Sequence, residues 1–439
     1  MGESKTRQLL PLAAIIVISS ALFSGHFGVG DTIFPPILGR EAGQSWLVAA
    51  MGYGIINSLG VLIAYLAVSM QQQTLLQMAS KTLGRWFGVV FTTMSMLIIG
   101  PVFILPRVSS ATHEMAVELF FPKFPLWATL LIFFGLNFVV AYNRAKVIDT
   151  MGKLLAPVLI VFMAILVIKG IVSPEASAQA TGMQHPLSEG VLNGYNTMNA
   201  LGAALFGGWV LKDLALRGIT DKKEQAKNLI YIGPIVAVLL LIASTGLTYL
   251  GASTGFAYDA EIGILTVNIA EGLLGIFGKA VFAVLLALAC FTTSVGLTST
   301  AGDVFMELTG GKLKYEVTVG LSSLVGFLLG LFGLSKIIQY TTPWLMLLYP
   351  ALVVILLSNL LPRFNRVKNA VAAGVVTAML FSVGDFLAGL GLEGNIFISQ
   401  VSRLPLGDQG MGWIIPTVVV FAVVQLLFPK AKSEPNAGG

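Results

Sequence analysis

Apolar residues along this chain run in long stretches, and the polar ones gather in short clusters between them. Runs such as 158–168 lack both the two-residue alternation of a barrel strand and the charged face of a surface helix, so they read as helices that are apolar all round. Crossing a bilayer takes ~20 such residues, and inside lipid every backbone N–H and C=O must be paired internally. The pattern predicts an all-α integral membrane protein with twelve transmembrane helices, near 9–38, 45–69, 87–111, 125–142, 150–171, 190–215, 228–250, 274–302, 315–335, 337–361, 368–391 and 411–428. The loops between them are short, which leaves a single polytopic domain over 1–429 with no room for a soluble one. Residues 430–439 read as a disordered cytoplasmic tail, and 74–84 as a short interfacial helix.

Composition narrows the choice. With 56% hydrophobic and 11% charged residues, against ~25% charged in a soluble domain, the chain cannot build a water-facing shell. Mean hydropathy is +0.86. The lone Cys290 excludes disulfides and cysteine-based metal sites, and His26, His113 and His185 give zinc or haem chemistry almost nothing to work with. The net charge of +5 records orientation rather than a nucleic-acid partner.

With the N-terminus in the cytoplasm, most of the 26 basic residues fall in alternate loops on that side. They are Lys5 and Arg7; Lys81 and Arg85; Arg144, Lys146 and Lys153; Lys212, Arg217, Lys222, Lys223 and Lys227; Lys312 and Lys314; Arg363, Arg366 and Lys368; Lys430 and Lys432. A miscounted span would reverse every later loop, so an even number of spans is expected, with both termini cytoplasmic in a bacterial-type inner membrane. Lys5 and Arg7 ahead of an apolar run, with small residues at Ser19, Ser20 and Ala21, also resemble a signal peptide. A second span follows at once, so an uncleaved first helix is expected.

Two spans are interrupted. The first holds Gly28, Gly30 and Asp31 ahead of Pro35 and Pro36, and Gly costs ~1 kcal/mol and Pro ~3 in a helix interior. The sixth runs from Asn193-Gly194-Tyr195 through Thr197-Met198-Asn199 to Gly202, Phe206, Gly207 and Gly208. Unwound backbone at membrane depth survives only where it is buried in protein or lines a cavity, so both stretches are binding-site candidates. A proline kink with small-residue packing is the plainer alternative. Two interruptions separated by four regular spans fit a five-plus-five inverted repeat, with repeat one over about 9–171, repeat two over about 190–361 and extra helices over about 368–428. Half-helix N-termini then favour an anion, and the neighbouring carbonyls a cation.

The eighth span carries hydroxyls from Thr292 to Thr300, with the Val295 carbonyl one turn below Thr298 and Ser299 on one face. That arrangement suits a hard monovalent cation, although membrane Ser and Thr also simply bond their own preceding carbonyls. Ionisable residues inside spans are functional suspects. Asp31 leads them. Arg107 suits an acidic group or a substrate carboxylate, or snorkels to the outer surface. Asp213, Asp303 and Glu307 read as partners for Lys212 or Arg217 in a gate, or as solvated loop charges; Asp385 reads as interfacial. His26 fits a proton relay or a polar spacer.

At these residues the chain resembles the bacterial branched-chain amino acid:cation symporter family, part of the amino acid–polyamine–cation group. The resemblance rests on Gly28-Val29-Gly30-Asp31-Thr32-Ile33-Phe34-Pro35-Pro36, Gly100-Pro101 with Pro106-Arg107, Asn193-Gly194-Tyr195 with Thr197-Met198, Ser294-Val295-Gly296-Leu297-Thr298, Gly333-Leu334-Ser335 and Leu404-Pro405-Leu406. It implies a leucine-transporter-type fold, helices one and six broken, and import of leucine, isoleucine or valine with sodium or a proton. It also implies a sodium site at Val295, Thr298 and Ser299 with carbonyls near Phe27 and Gly28. The substrate is expected among Gly28, Val29, Gly30, Asp31, Phe103, Asn193, Tyr195, Met198, Asn199, Gly202 and Phe206. No cofactor beyond the coupling ion is expected. The chain departs from the family pattern in one way: Asp31 and Asn199 stand where the family has Asn and Asp, an exchange of acid and amide. The rival readings are a carrier of another amphipathic solute, a channel, which would need a continuous polar stripe, and a membrane enzyme, which would need a clustered His, Cys or acid pair.

Overall fold

The structure, a computed structural model, describes residues 9–143, 149, 151–254, 263–361, 368–392 and 396–428. Lys5, Arg7, Arg144, Lys146, Arg363, Arg366 and the tail at 430–439 lie outside the described residues. Among the described residues the chain is helical without a strand. Its helices are α1 (Leu12–His26), α2 (Val29–Ala42), α3 (Trp46–Gly54), α4 (Val61–Gln71), α5 (Leu75–Leu83), α6 (Arg85–Leu97), α7 (Ile104–Thr112), α8 (Leu126–Tyr142), α9 (Ala156–Val172), α10 (Pro186–Tyr195), α11 (Asn199–Leu216), α12 (Lys222–Ala252), α13 (Ile264–Leu308), α14 (Tyr315–Gly330), α15 (Leu334–Leu360), α16 (Lys368–Gly389), α17 (Ile396–Val401) and α18 (Ile414–Leu427). Seven helical segments among the described residues are long and apolar enough to cross a membrane, and α1, α8, α14 and α18 are shorter apolar helices. The multi-pass character of the chain follows from these.

Each expected span holds helix, but boundaries move. α13 begins ten residues ahead of the expected 274, at Ile264, and changes direction at Gly275, whose φ of 67° suits glycine. α6 and α7 are joined through a wide turn at 98–102, where Gly100 leaves helical geometry (φ −110°, ψ −120°) beside Pro101. α5 forms within the expected 74–84 because Thr74 and Gln77 make a reciprocal cap: the Thr74 hydroxyl accepts from the Gln77 N–H at 3.4 Å, and the Gln77 side chain accepts from the Thr74 N–H at 3.3 Å.

The polarity is that of a lipid solvent. On α8, Leu131, Ile132, Leu136 and Val139 are exposed while Asn137 is fully buried. Its amide donates to Thr298 Oγ1 at 2.9 Å and to Ser323 Oγ at 3.4 Å. An apolar rim around hydrogen-bonded polar groups is what a bilayer demands.

Helices exchange partners between the two halves of the chain. α1 and α2 pack on α12, and α10 and α11 pack on α3 and α4. Both contacts are made at backbone distance through reciprocal glycines. A Cβ at Gly39 would overlap the Thr248 carbonyl and one at Gly251 the Pro36 carbonyl. In the other contact Gly52 faces the Leu187 carbonyl and Gly190 that of Ala49. Lipid gives no hydrophobic drive for helix association, so close approach of small residues supplies the packing energy. Gly39→Val is therefore expected to destabilise the protein by ~1–3 kcal/mol, the usual cost of overpacking, seen as a lower thermal midpoint in detergent. Gly135→Val, on α8 with open space at its Cβ, is the control and should leave the midpoint unchanged.

Candidate substrate and ion site

The first interruption follows from its residues. α1 ends at His26 and α2 begins at Val29, with Gly28 in an extended conformation (φ −109°, ψ −158°) and its N–H donating to the His26 carbonyl at 2.8 Å. Side chains at these glycines would collide: a Cβ at Gly28 would stand 2.8 Å from Thr293 Oγ1, and one at Gly30 would stand 2.8 Å from Arg107 Nη2. Pro36 has no N–H to give the Thr32 carbonyl, and the Thr266 hydroxyl of α13 donates to it instead, at 2.6 Å. The second interruption lies between Tyr195 and Asn199. There Met198 adopts a left-handed conformation (φ 61°, ψ 13°), costing ~1–2 kcal/mol for an L-residue, and the Asn199 N–H donates to Thr197 Oγ1 at 3.2 Å.

One side chain joins the two interruptions. Asn199 Nδ2 donates to both carboxylate oxygens of Asp31, at 3.1 and 3.0 Å, and approaches Asn57 Oδ1 at 2.6 Å. Its Oδ1 lies 3.3 Å from His26 Nδ1, and His26 Nε2 lies 2.8 Å from the Tyr65 hydroxyl. Arg107 Nη1 donates to the Asn196 carbonyl at 2.9 Å, with the guanidinium 5.8 Å from the Phe34 ring. All four of Asp31, His26, Asn199 and Arg107 are at most 4% exposed. Between them lies a small cavity of ≈ 20 Å³, room for a water-sized molecule, with an apolar wall from Ile99, Ile104, Val108, Leu297 and Phe206.

Of the residues expected to meet the substrate, Gly28, Val29, Gly30, Asp31, Met198, Asn199, Gly202 and Phe206 line that cavity. Three expected substrate residues do not. Phe103 sits at the α7 kink and is half-buried outside the lining, and Ile99, Ile104 and Val108 take its place because the Gly100-Pro101 turn rotates the helix face. Asn193 donates to the Glu189 carbonyl of its own helix at 2.9 Å. Tyr195 stacks on Tyr349 with ring centroids 4.5 Å apart.

The expected ion ligands also face elsewhere. Thr298 Oγ1 accepts from Asn137, and Ser299 Oγ pairs with the Tyr315 hydroxyl at 2.9 Å. The hydroxyls at the first interruption belong to Thr292 and Thr293, which donate to the Ser24 carbonyl at 3.0 and 3.5 Å, Thr292 also to the Ala289 carbonyl at 2.8 Å. Six residues further along a helix is ~240° further round, so 298 and 299 lie on another face. Val295 is buried between the two sets. A signal was available in the sequence: the hydroxyl run begins at Thr292, and the carbonyls left free at the α1 C-terminus include Ser24.

Arg107 is buried and does not snorkel. The acidic residues near the ends of α11 and α13 are also paired rather than solvated. Lys212 lies 3.4 Å from the buried Asp303, and Glu307 Oε1 accepts from Thr74 Oγ1 at 2.8 Å. These residues border a second small cavity, with Trp209 and Val304, that adjoins a larger vestibule of ≈ 680 Å³ lined by Gln71, Gln72, Lys81 and Arg85. Arg217 bridges Asp213 at 2.7 Å and Asp149 at 2.8 Å, and Asp149 also holds Lys153 at 2.8 Å. Asp385 is half-buried on α16, away from the cavity.

An all-helical membrane bundle that holds buried charges around a small cavity is the kind of architecture found in membrane transport proteins. The profile of the family described as branched-chain amino acid transport protein matches residues 12–431, and the chain belongs to that family, one of transporters and not of enzymes. It is 32% identical over 443 residues to the branched-chain amino acid permease BraB of Bacillus subtilis (strain 168), covering 97% of this chain and 98% of that one. It is 28% identical to the permease BrnQ of Escherichia coli (strain K12), covering 95% and 96%. Solved structures share the fold, Mhp1 and MhsT among them. Mhp1, a nucleobase-cation-symport-1 family transporter in a closed conformation with bromovinylhydantoin bound, superposes with a TM-score of 0.63 at 13% identity over 95% of this chain and 94% of that one. MhsT in complex with L-phenylalanine gives 0.53 at 14% identity over 94% and 98%.

The Lys153 and Arg217 hydrogen bonds hold Asp149 below its ordinary carboxylate pKa of 3.8. A depressed folded-state pKa contributes stability above the unfolded value that is lost as pH falls through the folded one. The thermal-midpoint advantage of the wild type over Arg217→Gln should accordingly narrow as pH is lowered from about 5 to about 3.

Proposed function

We propose that this chain is a secondary active symporter importing branched-chain amino acids across a bacterial inner membrane, driven by a cation gradient. The observation that carries the reading is the Asp31–Asn199 contact, which joins two helix interruptions around one small cavity with an apolar wall. In this reading α1/α2 and α10/α11 are the halves of broken spans one and six, in a twelve-span chain of two inverted repeats plus two extra helices. The exchange of packing partners between the halves supports it.

The N–H groups opening α2 present positive partial charge to a substrate carboxylate, and the carbonyls closing α10 suit its ammonium. Ile99, Ile104, Val108 and Leu297 suit a branched aliphatic side chain. The coupling ion fits at the C-terminal end of α1, where the Ser24 and Ala289 carbonyls and the Thr292 and Thr293 hydroxyls gather hard oxygens at the negative end of a helix dipole. These residues fit sodium better than the expected Val295, Thr298 and Ser299. One cation entering down an inside-negative potential adds ~2.3 kcal/mol per 100 mV.

A cavity this small has to enlarge to take a leucine, which suits a carrier that alternates access. On one side Arg107 and Thr342 Oγ1 hold Asn196, the latter at 3.1 Å, beside the Tyr195–Tyr349 stack. On the other, Lys212–Asp303 and Thr74–Glu307 separate the cavity from the vestibule, which in this reading opens to the cytoplasm.

Labelled leucine should accumulate in proteoliposomes only with an imposed cation gradient, and valine and isoleucine should compete while nucleobases do not. Accumulation of a different solute in preference to leucine would move the reading to its runner-up, a same-fold carrier for that solute. Thr292→Val with Thr293→Val should abolish sodium dependence, whereas Thr298→Val should retain it; the opposite result would return the ion to the expected position. Asp31→Asn should cut leucine uptake ~tenfold or more, through loss of a buried charged hydrogen-bonding group. Adding Asn199→Asp should restore much of it, because the two side chains are in contact. Full uptake by Asp31→Asn alone would show that no carboxylate is needed there.

A further inference from the structure

Arg107 has capacity that its contacts do not use. Its planar guanidinium offers five N–H donors in a fixed fork. Nη1 is committed to the Asn196 carbonyl at 2.9 Å, and that bond braces the group against the end of α10. The opposite edge is formed by Nε and Nη2. Nε–H is buried without a hydrogen-bond partner, in a residue only 3% exposed. Nη2 lies against Gly30, where an added Cβ would stand 2.8 Å away. Arg107 lines the cavity together with Gly30 and Asp31. A buried donor without a partner forfeits its hydration with nothing in return, so its retention needs an explanation.

We propose that Arg107 is the specificity-determining anchor for the substrate's α-carboxylate, received side-on by the Nε/Nη2 edge beside the first N–H groups of α2. The proposal rests on the carrier function argued above and adds a residue to the same site. An arginine suits this role because the spacing of its two N–H groups matches a carboxylate, a match a lysine point charge lacks. Gly30 is then needed for space: any side chain there would push Nη2 out of the position in which it meets the carboxylate. The arrangement also places the two charged groups of a zwitterion near opposite charges, with the carboxylate at Arg107 and the ammonium toward Asp31 and the α10 carbonyls. An unpaired acid or amine would leave one buried charge uncompensated. Carriage should therefore be restricted to α-amino acids bearing a free carboxylate.

The test measures discrimination and binding geometry together. In proteoliposomes, leucine, leucinamide and 3-methylbutylamine compete against labelled leucine for the wild type, Arg107→Lys and Arg107→Gln. The wild type should prefer leucine over leucinamide by about tenfold or more, and in Arg107→Gln that ratio should fall toward one, a change that a merely structural role would not produce. Arg107→Lys should keep part of the preference, since it keeps the charge without the fork. The second arm needs no variant. Wild-type protein with guanidino-15N arginine is loaded with 1-13C leucine, and dipolar dephasing should place the carboxyl carbon within about 4 Å of an arginine nitrogen. Unchanged discrimination in Arg107→Gln, or bound leucine without dephasing, overturns the proposal while leaving the carrier function standing. Failure of the wild type to bind or accumulate leucine at all would instead count against the carrier function.

Discussion

A carboxylate removed from water has to find every hydrogen bond it needs within the protein, and Asp31 finds its principal one in Asn199. The rest of the site is arranged around that contact. It fixes the start of α2 against the start of α11, so the two unwound stretches face a common space. It leaves the other oxygen-rich end, the last turn of α1, to the hydroxyls of α13. His26 and Tyr65 continue the polar chain into α4, so the site is connected through hydrogen bonds to the helix that supports it. A buried network of this kind is stable when its members are satisfied and costly when one is removed.

Rigid and movable parts are distinguished by the same physics. Where α2 meets α12 and α3 meets α10, backbones touch through glycines, and such contacts have little freedom to slide without collision. The ends of the bundle are held differently, by single ion pairs, side-chain hydrogen bonds and one aromatic stack. Each can be exchanged for water at modest cost once exposed. In the proposed alternating-access reading, opening at either end breaks only contacts of the second kind.

Much of this architecture is legible in the chain because lipid enforces a strict rule: glycines, prolines and polar residues in the middle of apolar runs must serve a purpose. That rule located both interruptions, the acid and amide that meet between them, and Arg107 as a residue of interest. It is silent where the answer depends on helix rotation. Whether Thr292 with Thr293 or Thr298 with Ser299 faces the end of α1 is a matter of helix face, set by how α13 docks there. Phe103 lies outside the cavity lining for a similar reason, since the kink at Gly100 turns the following residues. Tyr195 and Asn193 belong to an interrupted helix, but their side chains are taken up by a stack and by a backbone carbonyl. A pattern of residue types reports that a helix breaks; it does not report where each side chain beside the break is aimed.

Pro36 and Thr266 have a mechanical consequence. The carbonyl that proline leaves without its helical N–H is served from a different element, the stretch of α13 that precedes Gly275. Any tilt of α2 would thus have to drag residues 264–274 with it or strand an oxygen in a dry environment. The positive φ at Gly275 is where that leading segment changes direction, so its docking on α2 is set apart from that of the longer remainder of α13, whose hydroxyls face α1.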